Sequence, residues 1–134
     1  MTPEKSIFKA YDIRGIVGKT LTPEVTYAVG LVLGSMARDA GIDSLCVGRD
    51  GRVSGPELSE SLMKGIAAAG TKVIDIGRVP TPVLYFAAHY FKNGSGVAVT
   101  GSHNPPEYNG LKMMLGGKTL FGEGIKDIYR AICE

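Results

Sequence analysis

The stretch GVAVTGSHNPPEYNGLKMM, residues 96–114, places two strand-like apolar runs on either side of a polar loop. Val97–Val99 and Leu111–Leu115 have the length and composition of short buried strands. Between them lie a glycine, Ser102, His103, an asparagine and a pair of prolines, which together signal a turn. The pattern predicts that Ser102 stands on a loop just beyond the carboxyl end of a buried strand.

Outward from this stretch, strands alternate with helices along the chain. Apolar residues recur every three or four positions from Thr22 to Ala40, with Thr22 placed as an N-cap and Pro23 at the first helical position. The other predicted elements are strands at 45–47 and 72–76, and helices at 58–69, at Pro82–Phe91 and from Gly122 onward. This alternation predicts a three-layer α/β/α domain whose mixed, mostly parallel sheet is covered on both faces.

Composition and charge exclude several classes of protein. A chain of 134 residues is long enough for one core, and its net charge of +2 is scattered rather than gathered into a stripe. No apolar run approaches the roughly 18 to 20 residues of a membrane span, and the first residues do not resemble a signal peptide. With two cysteines that form no framework, we expect a cytoplasmic protein that binds neither nucleic acid nor membrane.

In sheets of this kind, ligands bind in the loops beyond the carboxyl ends of the strands. A short strand is predicted before Asp12, so that four loops should gather at one edge of the sheet. They are predicted at Asp12–Gly15, Gly48–Gly55, Gly77–Pro82 and Thr100–Gly110.

Three common site motifs fail in this sequence. GIVGKT, residues 15–20, resembles a phosphate-binding loop, but Ile13 stands where that motif needs a glycine. GSGVAV lacks the third glycine of a dinucleotide site. Ser102 is not in a G-x-S-x-G elbow, and its sequence neighbour His103 is poorly placed to act as its base. A serine hydrolase is therefore the weakest of the hypotheses.

The surroundings of Ser102 favour phosphoryl chemistry instead. A hydroxyl next to amide donors and cations, without a deprotonating triad, suits a group that carries phosphate. Phosphoryl transfer asks a protein mainly for positioning and for neutralisation of charge. Arg14, Arg49, Arg52 and Lys112 are the candidate cations.

Three motifs carry a resemblance to a known family. They are TGSHNPPEYNGLK at 100–112, FKAYDIRG at 8–15 and VGRDGRVSG at 47–55. Together they resemble the α-D-phosphohexomutases, in the form typical of the phosphomannomutase/phosphoglucomutase branch. The resemblance implies that residues 1–134 are domain I, the N-terminal phosphoserine domain, and a fragment of a four-domain enzyme.

The resemblance also implies roles for individual residues. Ser102 would carry the phosphoryl group, with His103 and Lys112 as its acid/base or electrostatic partners. Tyr11 and Arg14 would line the substrate pocket. Mg²⁺ would be held through the phosphate on Ser102, and the aspartate-rich segment that completes its site does not occur in this sequence.

The implied reaction interconverts hexose 1-phosphate and hexose 6-phosphate through a hexose 1,6-bisphosphate. The remaining domains of the parent enzyme would be needed as partners, so the chain alone is expected to be inactive.

Two alternative interpretations, without a catalytic role, stay open. The chain could be a non-catalytic module of the same fold that binds phosphosugars or anions, and Asp12 could pair with Arg14 only as a structural clamp. Arg49, Asp50 and Arg52 are expected to shape their own loop rather than touch substrate.

Overall fold

The computed structural model describes residues 2–90 and 94–134. After a short 3-10 turn at Lys5–Ile7, the elements follow one another as strands and helices. They are β1 (Ile13–Ile16), α1 (Pro23–Asp39), β2 (Ser44–Arg49), α2 (Gly55–Ala68), β3 (Lys72–Arg78), α3 (Thr81–Tyr90), β4 (Gly96–Val99), β5 (Tyr108–Leu115), β6 (Lys118–Thr119) and α4 (Glu123–Cys133).

The strands form one mixed sheet in the order β1-β5-β4-β2-β3, with β6 added beside β5. Strand β2 pairs in parallel with β3 and β4, whereas β5 is antiparallel to β4, β1 and β6. Strand β5 alone therefore runs against the common direction. The predicted mixed, mostly parallel sheet is confirmed, and the opening stretch of sequence is the antiparallel β4–β5 pair at its centre.

Helices cover both faces of the sheet. Side chains alternate along β2, so that Leu45 and Val47 join the main core whereas Cys46 packs with Leu84 of α3. Helices α1, α2 and α4 contribute to the main core, and α3 lies on the opposite face. The three-layer α/β/α prediction is confirmed.

Helix α1 begins as the sequence predicts and packs closely against α2. Thr22 Oγ1 accepts a hydrogen bond of 3.3 Å from the amide of Val25, and Pro23 opens the helix. At the crossing, a Cβ on Gly30 would collide with the carbonyl of Leu62 in α2. The absence of side-chain atoms there lets the two backbones approach.

The beginning of the chain differs from the prediction. The short strand expected before Asp12 is a 3-10 turn at Lys5–Ile7, and β1 starts at Ile13. Arg14 and Gly15 consequently lie within a strand and not in a loop. The reason is long-range pairing, because residues 13–16 align against residues 108–111 of β5.

Smaller differences concern element ends. Strand β6 was not predicted, and β5 begins at Tyr108, earlier than expected. The predicted last residue of α3, Phe91, lies outside the described residues. Among the helices of the described part, none is both long enough and apolar enough to cross a membrane.

Candidate functional site

Ser102 lies on the loop of residues 100–107 that joins β4 to β5, here called the serine loop. Its side chain is exposed, and its backbone φ is +52°. No other non-glycine residue in the described part of the chain has a positive φ. The left-handed conformation is unfavourable for serine, so the surrounding contacts must hold it in place.

The first half of the serine loop is attached to Asp50, at the end of β2. The Asp50 carboxylate accepts hydrogen bonds from Thr100 Oγ1 at 2.9 Å and from the Gly101 amide at 3.0 Å. Thr100 Oγ1 in turn accepts from the Ser102 amide at 3.1 Å. Asp50 thereby fixes the backbone immediately before Ser102.

The second half of the serine loop wraps around the guanidinium group of Arg52. Arg52 Nη2 donates to the carbonyls of Ser102 at 3.1 Å and Asn104 at 2.6 Å. Arg52 Nη1 donates to the carbonyls of Pro105 at 2.7 Å and Tyr108 at 3.1 Å. The Arg52 side chain is only 17% exposed. One planar cation thus binds carbonyls along the whole loop.

Gly101 and Asn104 complete the loop. A Cβ on Gly101 would overlap the Nε and Cζ atoms of Arg52, so the glycine leaves the space that the guanidinium occupies. Asn104 donates to the Gly101 carbonyl from its amide at 3.0 Å and from Nδ2 at 2.9 Å. At the base, Asn109 Nδ2 donates to Ser54 Oγ at 2.8 Å and ties β5 to the start of α2.

Arg14 and Lys112 lie on one face of the sheet near the serine loop. Arg14 pairs with Gly110, two positions before Lys112 on β5, and Lys112 pairs with Ala98 of β4. Because alternate residues share a face, both side chains are on the side that carries α3. Both are partly exposed, and neither makes a salt bridge or a side-chain hydrogen bond with the described residues. Two cations are therefore available to an anion at this edge.

Tyr11 and His103 are the two remaining predicted site residues. Tyr11 is 74% exposed and lies two residues before β1, whereas His103 is exposed on the serine loop. The described residues provide no side-chain hydrogen bond to the Ser102 hydroxyl, the His103 ring or the Tyr11 hydroxyl. The predicted site residues are thus placed on the serine loop, on strands β1 and β5, and, for Tyr11, on the segment before β1.

Two candidate cations have other partners. The guanidinium of Arg52 is fully engaged with loop carbonyls, and Arg49 Nη1 lies 4.0 Å from the Asp75 carboxylate. The suggestion that both could neutralise a phosphate is not supported by these contacts. The expected Asp12–Arg14 pair is also not formed within 4.0 Å in the described part of the chain.

The sequence did not reveal that Asp50 and Arg52 hold the serine loop. Both were expected to shape their own loop, and Arg52 does contact Asp50, with Nε 3.6 Å from the carboxylate. Their main partners, however, are about 50 residues away in the chain. The only available signal was a charged Asp-x-Arg pattern directly after a buried strand, and this pattern does not indicate which residues Asp50 and Arg52 bind.

The loop after β3 joins the same edge of the sheet. The Val79 amide donates to the Arg49 carbonyl at 2.8 Å. A cavity of about 290 Å³ lies here, lined by Asp50, Gly51, Arg78, Val79 and Pro80. A larger cavity of about 670 Å³ lies between α1 and α4 and has no residue of the serine loop in its lining. The larger of these two cavities is therefore not the one next to the serine loop, and cavity volume alone does not identify the functional site.

The residues present here could supply only part of a metal site. Within residues 2–90 and 94–134, no group of three or more His, Cys, Asp or Glu side chains could hold a metal ion. The Asp50 carboxylate, which holds the serine loop, is occupied by backbone and hydroxyl donors. An exposed phosphate on Ser102 would fit as one ligand, and the others would have to come from outside this set of residues.

Comparisons with known proteins agree with this description. Residues 5–134 match a domain family described as "Phosphoglucomutase/phosphomannomutase, alpha/beta/alpha domain I". A phosphoglucomutase of Neisseria meningitidis serogroup B is 56% identical over 128 residues, which are 96% of this chain and 28% of that protein. A phosphomannomutase/phosphoglucomutase of Pseudomonas aeruginosa is 52% identical over 127 residues, covering 95% of this chain and 27% of that protein.

A solved structure shows the same fold. A phosphoglucomutase/phosphomannomutase family protein from Burkholderia thailandensis superimposes with a TM-score of 0.93 at 48% identity. The match covers 98% of this chain and 31% of that one. The chain thus spans less than a third of the length of these relatives.

Proposed function

Because the chain belongs to the phosphoglucomutase/phosphomannomutase family, over its α/β/α domain I, we propose that it carries the phosphoserine half of a mutase active site. The parent enzyme would interconvert hexose 1-phosphate and hexose 6-phosphate through a bisphosphorylated intermediate. The observation that carries the proposal is Ser102 itself. Its hydroxyl is exposed on a loop that Asp50 and Arg52 hold in a strained conformation.

In the proposed reaction, phosphorylated Ser102 is the donor. The free hydroxyl oxygen of a hexose phosphate bonds to phosphorus while the bond between phosphorus and Ser102 Oγ breaks. The sugar hydroxyl loses its proton to a base, and Ser102 Oγ takes up a proton. The resulting bisphosphate then returns its other phosphoryl group to Ser102 by the reverse step. Hexose 1,6-bisphosphate also supplies the first phosphoryl group to an unmodified chain.

The other site residues have proposed roles that follow their placement. His103, exposed beside Ser102, would move the proton, as general acid or base. Lys112 and Arg14, which have no other partner in the described residues, would balance the charge of the phosphoryl oxygens. Tyr11, which is highly exposed and precedes β1 in the chain, would contact the sugar phosphate.

We propose Mg²⁺ as the metal of the parent enzyme. It would add positive charge against the phosphoryl oxygens when bound, and the phosphate on Ser102 would be its ligand from this chain. Its remaining ligands, and the walls of the sugar site, would belong to the other domains of the parent. The isolated chain should therefore have negligible mutase activity. We propose the reducing cytoplasm as its compartment, because its two cysteines are not spaced as a disulfide framework.

The proposal can be tested by replacing the matched segment of the Neisseria meningitidis relative with this chain, which is 56% identical to it. We expect this chimera to convert glucose 1-phosphate to glucose 6-phosphate, and Ser102→Ala to abolish the conversion. The 134-residue chain alone should not catalyse it.

The anion-binding alternative gives a different result. A folded chimera that binds hexose phosphates but does not convert them, and whose Ser102 is never labelled by glucose 1,6-bisphosphate, would support a non-catalytic module. Lys112→Gln in the chimera serves as a second variant. It should slow phosphoryl transfer if Lys112 balances charge, and should leave the rate unchanged if Lys112 is only a surface lysine.

A further inference from the structure

We propose that Arg52 is a positioning residue for phosphoryl transfer at Ser102, an inference that rests on the function proposed above. Arg52 fixes the peptide between Ser102 and His103. The His103 N–H then points to the outer side of the serine loop, away from Arg52, where it can donate a hydrogen bond to the phosphoryl group. Arg52 would act only through the loop and would not touch the substrate.

The first argument is the set of acceptors. Arg52 donates to the carbonyls of Ser102, Asn104, Pro105 and Tyr108 at distances of 2.6 to 3.1 Å. Charge-assisted bonds of this kind are stronger than bonds between neutral groups. All four bonds come from the Arg52 guanidinium, whose side chain is only 17% exposed, so water competes little for the same carbonyls. Arg52 therefore determines which way the serine loop faces.

The second argument is the orientation of the Ser102–His103 peptide. In a trans peptide the carbonyl and the following amide point in opposite directions, and the described chain has no cis peptide. Since the Ser102 carbonyl points at Arg52, the His103 N–H points away from it. No described residue accepts a hydrogen bond from that N–H. An oriented backbone donor next to a reacting phosphate stabilises the charge that develops there.

The two prolines fit the same arrangement. The carbonyls of Asn104 and Pro105 also point at Arg52, and the residues that follow them are Pro105 and Pro106. Proline has no N–H, so turning these two carbonyls inward leaves no outward donor. Of these three peptides of the serine loop, only the one at His103 presents an N–H on the outer side.

The test compares Arg52→Met and Arg52→Lys with Arg38→Met as the matched control. Arg38 also donates to a backbone carbonyl, that of Ala69 at 2.8 Å, but it joins α1 to the end of α2. Lysine keeps the charge of Arg52 but cannot span several carbonyls with a planar group. Melting temperature and circular dichroism of each variant establish the folded fraction before any rate is compared.

The first readout is hydrogen exchange in the 134-residue chain. Both Arg52 variants should accelerate exchange of the hydrogen-bonded amides of Gly101, Ser102, Asn104 and Tyr108 by at least about tenfold, the change expected from losing one net charge-assisted bond. Arg38→Met should leave these amides unchanged. Unchanged exchange in Arg52→Met would overturn the proposal.

The second readout is the rate at which glucose 1,6-bisphosphate labels Ser102 in the chimera. We expect the Arg52 variants to slow labelling on the order of 100-fold, as a misplacement of about 1 Å can do, with KM for hexose phosphate nearly unchanged. Arg38→Met should lower the melting temperature without slowing labelling. A purely structural role of Arg52 predicts instead that the rate follows the folded fraction.

A double-mutant cycle covers the case in which Arg52→Met folds poorly. Gly101→Ala should be harmful when Arg52 is present and much less harmful when it is combined with Arg52→Ala, because the atoms nearest to the added Cβ all belong to the Arg52 side chain. Additive effects of the two substitutions would count against the proposal.

The outcomes also separate this inference from the proposed function. If the wild-type chimera is never labelled, the proposed function fails and this inference fails with it. If the wild type and Arg52→Met are labelled equally fast, only this inference fails.

Discussion

Ser102 lies at the proposed reactive position and has an unfavourable backbone conformation. Its φ of +52° lies in the left-handed region, where an L-residue other than glycine costs roughly 1–2 kcal/mol. The hydrogen bonds that Thr100 Oγ1 and the Asp50 carboxylate accept, and the one that Arg52 donates, must outweigh that cost. Strain of this kind is found at functional sites because the surroundings fix the reacting group in one orientation.

The strain at Ser102 gives a prediction about stability. Ser102→Gly should unfold with a free energy about 1 kcal/mol higher than Ser102→Ala, because glycine adopts a positive φ without the Cβ penalty. Both variants lack the hydroxyl, so each is the matched control for the other. Urea denaturation of the two proteins measures the difference. Equal stabilities would show that the backbone at this residue is not strained.

At the scale of elements, α1 and α2 hold the segment that supports the serine loop. A Cβ on Gly65 of α2 would collide with the carbonyl of Tyr27 in α1, and Gly30 meets α2 in the same way. The loop with Asp50 and Arg52 leads directly into α2, which starts at Gly55. The glycine contact between the helices therefore contributes to the placement of the loop.

Gly65→Ala should lower the free energy of unfolding by about 1–3 kcal/mol, although alanine is the better helix former. The physical reason is steric, since the helices must separate to admit the methyl group. Gly124→Ala in the first turn of α4 is the control, because the nearest atom to its Cβ would be Leu120 Cδ2 at 3.7 Å. That variant should be neutral or stabilising. Thermal unfolding of both would decide, and a stable Gly65→Ala would contradict close helix packing.

Helix α4 has a titratable pair on its surface. The hydrogen bond from Arg130 at 3.1 Å, together with the charges of Arg130 and Lys126, lowers the pKa of Glu123 below its ordinary value. Its stabilising contribution is therefore fully present above the pKa of the unfolded state. It is lost as pH falls through the lower pKa of the folded state.

Glu123→Gln should consequently reduce stability most at neutral pH. The difference in melting temperature between wild type and variant should shrink as pH is lowered from about 6 to about 3. Both groups are exposed, so added salt should reduce the difference as well. Arg130→Gln should remove the same contribution and, in addition, that of the hydrogen bond from Arg130 to Asp127 at 2.6 Å. A difference that is constant with pH would rule out this pair as its source.

The elements themselves show what the sequence could and could not predict. Helix α1 was predictable because its cap, its proline and its apolar spacing are all local signals. Strand β1 was not, because residues 13–16 become a strand only by pairing with β5, about 95 positions away. The site shows the same contrast. Ser102 could be identified from its loop, whereas the binding of that loop by Arg52 spans about 50 residues, and the Asp-x-Arg pattern does not indicate the partner.

At the scale of the whole molecule, one edge of a mixed sheet gathers the serine loop, Asp50 and Arg52, and the cations of β1 and β5. The relatives are more than three times as long as this chain, which covers 28% of the phosphoglucomutase from Neisseria meningitidis. The central proposal is that Ser102 accepts and returns a phosphoryl group in such a larger enzyme.

The most direct measurement is the intact mass of the chimera after incubation with glucose 1,6-bisphosphate, followed by peptide mapping. We predict one phosphoryl adduct, located on Ser102, that never forms in Ser102→Ala. An adduct on another residue, or a folded wild-type chimera that binds the bisphosphate and remains unmodified, would contradict the proposal.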